Sequence, residues 1–431
     1  MRHQTSTSAP DGTPGLAIAR RQPVPAQLCN FERLLDRLAV SGLDGIVALY
    51  ATNQYYLGSY ARHSTIPEEL GMFPVVISRH APDHPIICMP DLDIARLPVQ
   101  PTWIQDVRPY ATVLPFDVEP TLAELGRFVP KHAFDRALHR LGPQVRYEHG
   151  LAEAMVRAIH DLKLDRGRVG FDNLSTGLAL ATPLPHMTAL PAENDIRFVR
   201  QQKTPIEVEL LRQATRINQT AQERAIARFA PGMTFRELVF TFQVEALALG
   251  GSPNLPDSMQ MANGPDTGEA LFSDPEVDDF PLERGMHIMF DCHGKYNGYC
   301  WDGGKTWVVD DEPSRRAKRR WSSMTACLAA INERARPGVR ITELVQAGRQ
   351  ALRRTGVSDD GALIYFHGMG LDHIDMDLAA AMKDWTVEKD SMLSTHIYVP
   401  GGPAERLYLE DIVFVRESGV ERLFTWDDEL S

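Results

Sequence analysis

Two aspartates, Asp291 and Asp302, interrupt a stretch that otherwise has the apolar character of β-strand, "MHIMFDCHGKYNGYCWDGGKTWVV". The apolar runs on either side of "HGKYNG" predict a β-hairpin, with Asn297-Gly298 available as turn residues. A loop at Tyr296-Asn297 sets Asp291 directly opposite Asp302. A loop at Asn297-Gly298 makes them diagonal neighbours on the same face. In both registers two carboxylates share one side of a mostly apolar ladder, and like charges at such spacing destabilise the pair. Two exposed aspartates on a solvated face would be the plain reading. A cation between them, or protonation of one, is what a buried pair would require.

Further ligand types stand on other strands. "ALIYFHGMGLDHID" places His367 immediately after an apolar strand and before a Gly368-Met369-Gly370 turn, where glycine lets the backbone approach closely. "MLSTHIYVPGG" alternates Leu393, Thr395 and Ile397 with Ser394, His396 and Tyr398, so His396 falls on the polar face of its strand. "RLYLEDIVFVRESG" puts Glu410 among Leu409, Ile412 and Val413. Each residue alone reads more readily as a hydrogen-bonded strand residue than as a ligand. Together, two aspartates, two histidines and a glutamate form a donor set suited to Zn, Mn, Fe or Co, and two histidines with one carboxylate also match mononuclear non-haem iron.

The elements that must position these residues are legible in outline. After a tail at residues 1–26, "FERLLDRLAVSG" has apolar residues at helical spacing and "LDGIVALY" is a β-rich run. The same alternation recurs through "FPVVISRHAPDHPIICMP", "LAEAMVRAIHDLKL" and "RVGFDN", giving an α/β domain over residues 27–195. A long helix then opens at Thr204-Pro205, with Thr204 as the cap and Glu207 in the capping-box place. A second helix follows in "TFRELVFTFQVEALALGG". Beyond Gly251 come strands, with helices around Trp321 to Ala335 and Ile341 to Thr355, so residues 196–431 read as an α+β domain.

Composition narrows the function classes. The chain has 431 residues, long enough for two or three domains, and its 43% hydrophobic content is that of an ordinary globular protein. A formal net charge of -12 repels polyanions, so no nucleic-acid role is expected, and the basic run Arg315 to Arg320 reads as the solvated start of a helix. The five cysteines are scattered without CxxC spacing, which argues against disulfides or a zinc ribbon and fits a cytoplasmic setting. No apolar stretch suggests a signal peptide or a membrane span. Cys292 and Cys300 flank the hairpin and are expected to be small buried hydrophobes, and Trp301 and Trp307 to be packing residues.

The order of these motifs resembles the pita-bread metallopeptidase-like family, which includes aminopeptidase P, prolidase, methionine aminopeptidase and creatinase and is classed as peptidase family M24. The family pattern D-x-G, GY-x-x-D-x-x-R-T, H-G-x-G, a strand glutamate before Pro-Gly and a late E-D reads here as "DCHGKYNGYCWDGGKT", "HGMG", "THIYVPGG" and "LED". "VRQQKTPIEVELLRQATRINQTA" is similar to the entry helix of two-domain members, and "LYATNQYYLGSY" to their N-terminal domain. The resemblance implies an α/β creatinase-like domain followed by an α+β pita-bread domain, a homodimer, and one or two divalent ions per chain. It also implies that Asp291 chelates one metal, that Asp302 and Glu410 bridge two, and that His367 binds the second.

Departures from the pattern bear on the substrate. His396 stands where the family has a glutamate ligand, removing a bridging carboxylate and leaving a single-metal centre open. A histidine expected about 17 residues before Asp291 falls near Asp274, and one expected seven residues after His367 falls on Ile374, with His373 one place early. Lys305 and Tyr408 replace two arginines of the pattern. The leading expectation is a non-peptidase member: a metal-dependent hydrolase of an amide, amidine or other C–N bond in a small amino-acid-like substrate, with His396 or His373 as proton shuttle. The alternatives are an Xaa-Pro aminopeptidase or dipeptidase, a lyase acting on a small carboxylate, and a catalytically silent binding protein.

Overall fold

A computed structural model describes residues 19, 24, 27–60, 70–112, 126–127, 130–141, 147–255, 279–357, 361–377, 384–401 and 405–430. The position near Asp274 lies outside them, as does most of the stretch 1–26, within which Ala19 donates its backbone N–H to the Ala248 carbonyl at 3.0 Å.

The first half is built on a six-stranded mixed sheet, ordered β4-β3-β2-β1-β5-β6. Its strands are β1 Gly45–Tyr50, β2 Leu70–Ser78, β3 Ile86–Pro90, β4 Asp106–Tyr110, β5 Arg168–Phe171 and β6 Thr188–Pro191. β1 pairs antiparallel with β2 and parallel with β5. Apolar side chains from both of its faces are buried, as the runs of Val, Ile and Leu require. The expected first helix spans Phe31–Val40, with the Asn30 side chain accepting from the Arg33 N–H.

The helix Pro205–Ile226 leads into the second half. Thr204 and Glu207 form the expected reciprocal capping box, with proline at the start. A second capping box, Thr234 with Glu237, opens the helix Phe235–Ala248. The short strands are β7 Ser252–Pro253, β8 His287–Met289, β9 Gly294–Tyr296, β10 Tyr299–Trp301 and β11 Thr306–Val308. Four longer ones form an antiparallel sheet in chain order: β12 Leu363–Gly368, β13 Met392–Val399, β14 Leu407–Arg416 and β15 Gly419–Arg422. The helices Arg315–Arg334 and Ile341–Arg354 cover one face of that sheet through Leu328, Ile331, Leu344 and Leu352, which pack with Ile364, Ile397 and Leu409. Its other face is left for the polar residues that alternate with these.

The hairpin adopts the second of the two registers. Tyr299 faces Tyr296 and Trp301 faces Gly294, and the same register continues to Thr306 opposite Met289. Asn297 and Gly298 have φ of 47° and 83°, so both turn residues are left-handed as a two-residue hairpin loop demands. Asp291 and Asp302 are therefore diagonal neighbours, and the residue directly opposite Asp302 is His293. Asp302 lies in the gap between β10 and β11 rather than inside a strand, because Gly303 with φ 82° and the following Gly304 kink the chain there. A Cβ on Gly303 would sit 2.6 Å from the Glu410 carboxylate, so only glycine lets the hairpin close on β14.

Candidate metal centre

The hairpin and the four-stranded sheet meet around buried acids and imidazoles. On the hairpin side, the helix Pro205–Ile226 fixes the kink. Asn218 Nδ2 donates to the carbonyls of Asp302 and Gly303 at 3.1 and 2.9 Å, and Gln222 Nε2 donates to that of Gly303 at 2.9 Å. The Asp302 side chain is fully buried, and neither of its oxygens makes a hydrogen bond. Three imidazole nitrogens approach it all the same. His293 Nε2 is 3.1 Å from Oδ1, while His367 Nε2 and His373 Nδ1 are 3.3 and 3.5 Å from Oδ2. His293 Nε2 is also 3.1 Å from Asp291 Oδ1, another buried oxygen without a hydrogen bond.

On the sheet side, strand register does the positioning. His396 pairs across strands with Glu410 and with Tyr365, and His367 with Ser394, so His367, Ser394, His396, Tyr408 and Glu410 lie on one face. Tyr365 stacks on the His396 ring with centroids 3.9 Å apart. The Tyr408 hydroxyl donates to Glu410 Oε2 at 2.6 Å, and the Ser394 hydroxyl donates to Oε1 at 2.5 Å.

His396 Nδ1 lies 2.9 Å from the Tyr408 oxygen and its Nε2 3.0 Å from the Ser394 oxygen, so the two hydroxyls that bond to Glu410 also hold this ring from both sides. His367 Nδ1, 3.2 Å from the Gly368 carbonyl, must donate to it. The two Nε2 atoms turn inward and stand 3.0 Å apart beside the unbonded oxygens of Asp302. Donors held about 2.0–2.2 Å from one divalent ion lie about 3–3.4 Å apart, so the residues present fit a metal. Asp302, His367, His396 and Glu410 each offer a ligand atom within 4.8 Å of the others, a candidate metal-binding cluster.

Electrostatics accentuates the charge imbalance. Burial opposes ionisation of Asp302, yet the imidazoles of His293, His367 and His373 hold its carboxyl well below the usual range. Glu410 moves the other way: burial, then repulsion from Asp302 and Asp291, push it well above the ordinary glutamate value. His396 is held well below a normal imidazole by burial and by His367. Burial also lowers His373, against the pull of Asp302. His293 resists its burial because Asp291 and Asp302 flank it, and it is pushed up to about 11.

His367, His396, Glu410 and Asp302 thus come together. Asp291 stands beside them, reached through His293, and His373 enters from the loop after β12 with its side chain 44% exposed. His373, and not the exposed Ile374, turns toward the centre. Lys305 points away, with Nζ 3.0 Å from the Glu429 carbonyl and over the Trp307 ring. His293 escaped the sequence reading because it was assigned to the hairpin connection, although its spacing of two from Asp291 was the available signal. All five cysteines are buried and unpaired, and burial pushes the Cys300 thiol up to about 12, as expected of a packing residue. Among the described residues, no helix is long and apolar enough to cross a membrane.

Residues 209–417 match the model of metallopeptidase family M24. An Xaa-Pro dipeptidase of Pyrococcus furiosus is 26% identical over 241 residues, which cover 55% of this chain and 66% of that protein, just under two thirds of its length. Among solved structures, the prolidase of Pyrococcus horikoshii superposes with a TM-score of 0.64 at 16% identity, over 93% of this chain and 99% of its own. The X-Pro aminopeptidase of Thermotoga maritima gives 0.63, also at 16% identity, over 93% and 99%. The fold is thus the two-domain one of these structures, an α/β creatinase-like domain followed by an α+β pita-bread domain, and residues 209–417 carry the similarity to metallopeptidase family M24.

Proposed function

We propose that the protein is a metal-dependent hydrolase that cleaves an amide, amidine or other C–N bond of a small amino-acid-like substrate. The observation that carries this reading is the convergence of His367 Nε2 and His396 Nε2, 3.0 Å apart, beside Glu410 and the buried, unbonded carboxylate of Asp302. Asp302, His367, His396 and Glu410 would hold the metal, with Asp291 at its edge. An ion of the Zn, Mn, Fe or Co class, one or two per chain, supplies Lewis acidity toward the scissile group and makes water acidic enough to act as a nucleophile near neutral pH.

The chain's own residues do the rest. Tyr408 and Ser394 orient the Glu410 carboxylate and also hold the His396 ring through its two nitrogens. Both nitrogens of His396 are engaged within the protein, so proton transfer falls to His373, the half-exposed imidazole beside Asp302. The burial of the remaining ligands keeps bulk water from competing for the charge that develops in the reaction. We assign the active form as a homodimer in the cytoplasm. The first part follows the family resemblance, and the second is supported by the five free cysteines.

Xaa-Pro dipeptide cleavage is the second reading, favoured by the similarity to the Xaa-Pro dipeptidase of Pyrococcus furiosus. Incubating the metal-loaded protein in ¹⁸O-labelled water with small amides, amidines and Xaa-Pro dipeptides tests both. Product carrying solvent oxygen identifies the hydrolase and its substrate class. Turnover without solvent oxygen would mean elimination and would overturn the proposal.

A further inference from the structure

His293 and His373 have no place in the four-residue centre, yet both aim a ring nitrogen at Asp302. His293 Nε2, His373 Nδ1 and the Asp302 carboxylate bring three ligand atoms within 4.8 Å of one another. The two rings meet edge to face with centroids 4.9 Å apart, which holds them in place without a hydrogen bond between them. Both oxygens of Asp302 are buried and unbonded, so the carboxylate has lone pairs for this cluster as well as for the first. Two imidazoles and a shared carboxylate, one imidazole half-exposed and the other 7% exposed, make an open three-donor site at the mouth of the centre.

We propose that His293, His373 and Asp302 form a second cation site, weaker than the first and selective for Zn, Co or Ni over Mn or Mg. Imidazole nitrogen favours the former ions, whereas all-oxygen sites favour the latter. Three donors, one of them on a solvent-facing loop residue, bind less tightly than four buried ones, so the site fills after the first and exchanges with solvent. Its occupation takes His373 out of proton transfer, and an excess of such a metal inhibits turnover. That consequence rests on the function proposed above, whereas the binding itself does not. The competing arrangement is a protonated His293 bridging Asp291 and Asp302, which leaves room for one ion only.

Calorimetric titration of the metal-stripped full chain with Zn²⁺, with Co²⁺ absorption recorded in parallel, decides between them. The wild type is expected to show two classes of site, and His293→Ala to keep the tight class while losing the weak one. His373→Asn, at a half-exposed position where folding is not at stake, weakens the second class by about tenfold or more and leaves the first, as loss of one of three donors requires. Circular dichroism checks that each variant is folded. A single class in the wild type, or a second class untouched by both substitutions, overturns the proposal while leaving the first metal centre intact. No uptake at all would overturn both.

Discussion

Two buried clusters of charge lie on either side of the loop after β12, and they are resolved in opposite ways. In the first, Arg200 and Lys203 from the helix Glu193–Gln201 and its exit meet Asp372 and Asp375 of that loop. Arg200, with no exposed surface, reaches Asp375 through Nε at 2.9 Å and Asn53 through Nη1 at 2.7 Å. Asp375 also accepts from the Leu371 N–H at 2.9 Å. Burial would raise the Asp375 carboxyl, but Arg200 and Lys203 hold it below its ordinary range. Every side-chain oxygen of Asp375 has a donor.

In the second cluster, Asp291, Asp302 and Glu410 are as deeply buried, but no lysine or arginine reaches them among the described residues. The oxygens of Asp302 make no hydrogen bond, and the groups that approach the acids are imidazoles, with His293 between Asp291 and Asp302. The first cluster is neutral by itself and locks the His373 loop onto the N-terminal half. The second sets three carboxyl groups against a single cation-favouring imidazole, His293, and so lacks a matched set of protein cations. A buried ion pair in one place and a ligand set in the other use the same residue types, and the presence or absence of a matched protein cation separates them.

Breaking the first cluster should show the largest effect on stability. Arg200→Met leaves Asp375 buried with only Lys203, and unfolding in urea is expected to show a loss of about 3–5 kcal/mol. A change under about 1 kcal/mol would mean that the cluster is already hydrated and the contrast drawn here is wrong.

Glu207, fully buried beside the first cluster near Lys203 and Asp375, sharpens the comparison through pH. Burial raises it from 4.5 to about 7, against Lys203, the Thr204 N–H and Tyr299, which favour the carboxylate. Its folded-state pKa lies above the unfolded one, so the folded chain holds the extra proton between those values. Its contribution is fully present below about 4.5 and is lost as pH rises through about 7. Relative to Glu207→Gln, the wild type should lose about 3 kcal/mol of unfolding free energy across that window. Parallel stability curves for the two proteins would contradict this.

The smallest effect is expected from Tyr408→Phe, which removes the donor to Glu410 and the hydrogen-bond partner of His396 Nδ1. Metal affinity should fall about 10–100-fold with little change in unfolding, read by competition with a chromogenic chelator. An unchanged affinity would mean that Tyr408 does not orient the ligands.

Local patterns carried much of this. Capping residues at Thr204 and Thr234, the left-handed pair Asn297-Gly298, and the alternation that sets His396 and Glu410 on one face are all written within a few residues of chain. What joins distant segments was not legible in the same way. The hold of Asn218 and Gln222 on the Gly303 carbonyl spans more than 80 residues, and the reach of Arg200 to Asp375 spans 175. His293 was hidden for a different reason: its register depends on which two residues make the turn, and only the Asn297-Gly298 loop sets it across from Asp302. Asp302 itself was read as a strand residue, whereas the two glycines after it break the ladder and free its side chain from strand geometry.

The measurement that tests the account most directly is metal content by plasma mass spectrometry on protein purified without a chelating tag, for wild type and Asp302→Asn. The account predicts at least about one equivalent of a transition metal in the wild type and less than about a tenth of that in the variant, because the shared carboxylate is the donor the cluster cannot lose. A wild type that stays metal-free after incubation with Mn, Zn, Fe and Co, or a variant that retains as much metal as the wild type, would contradict it.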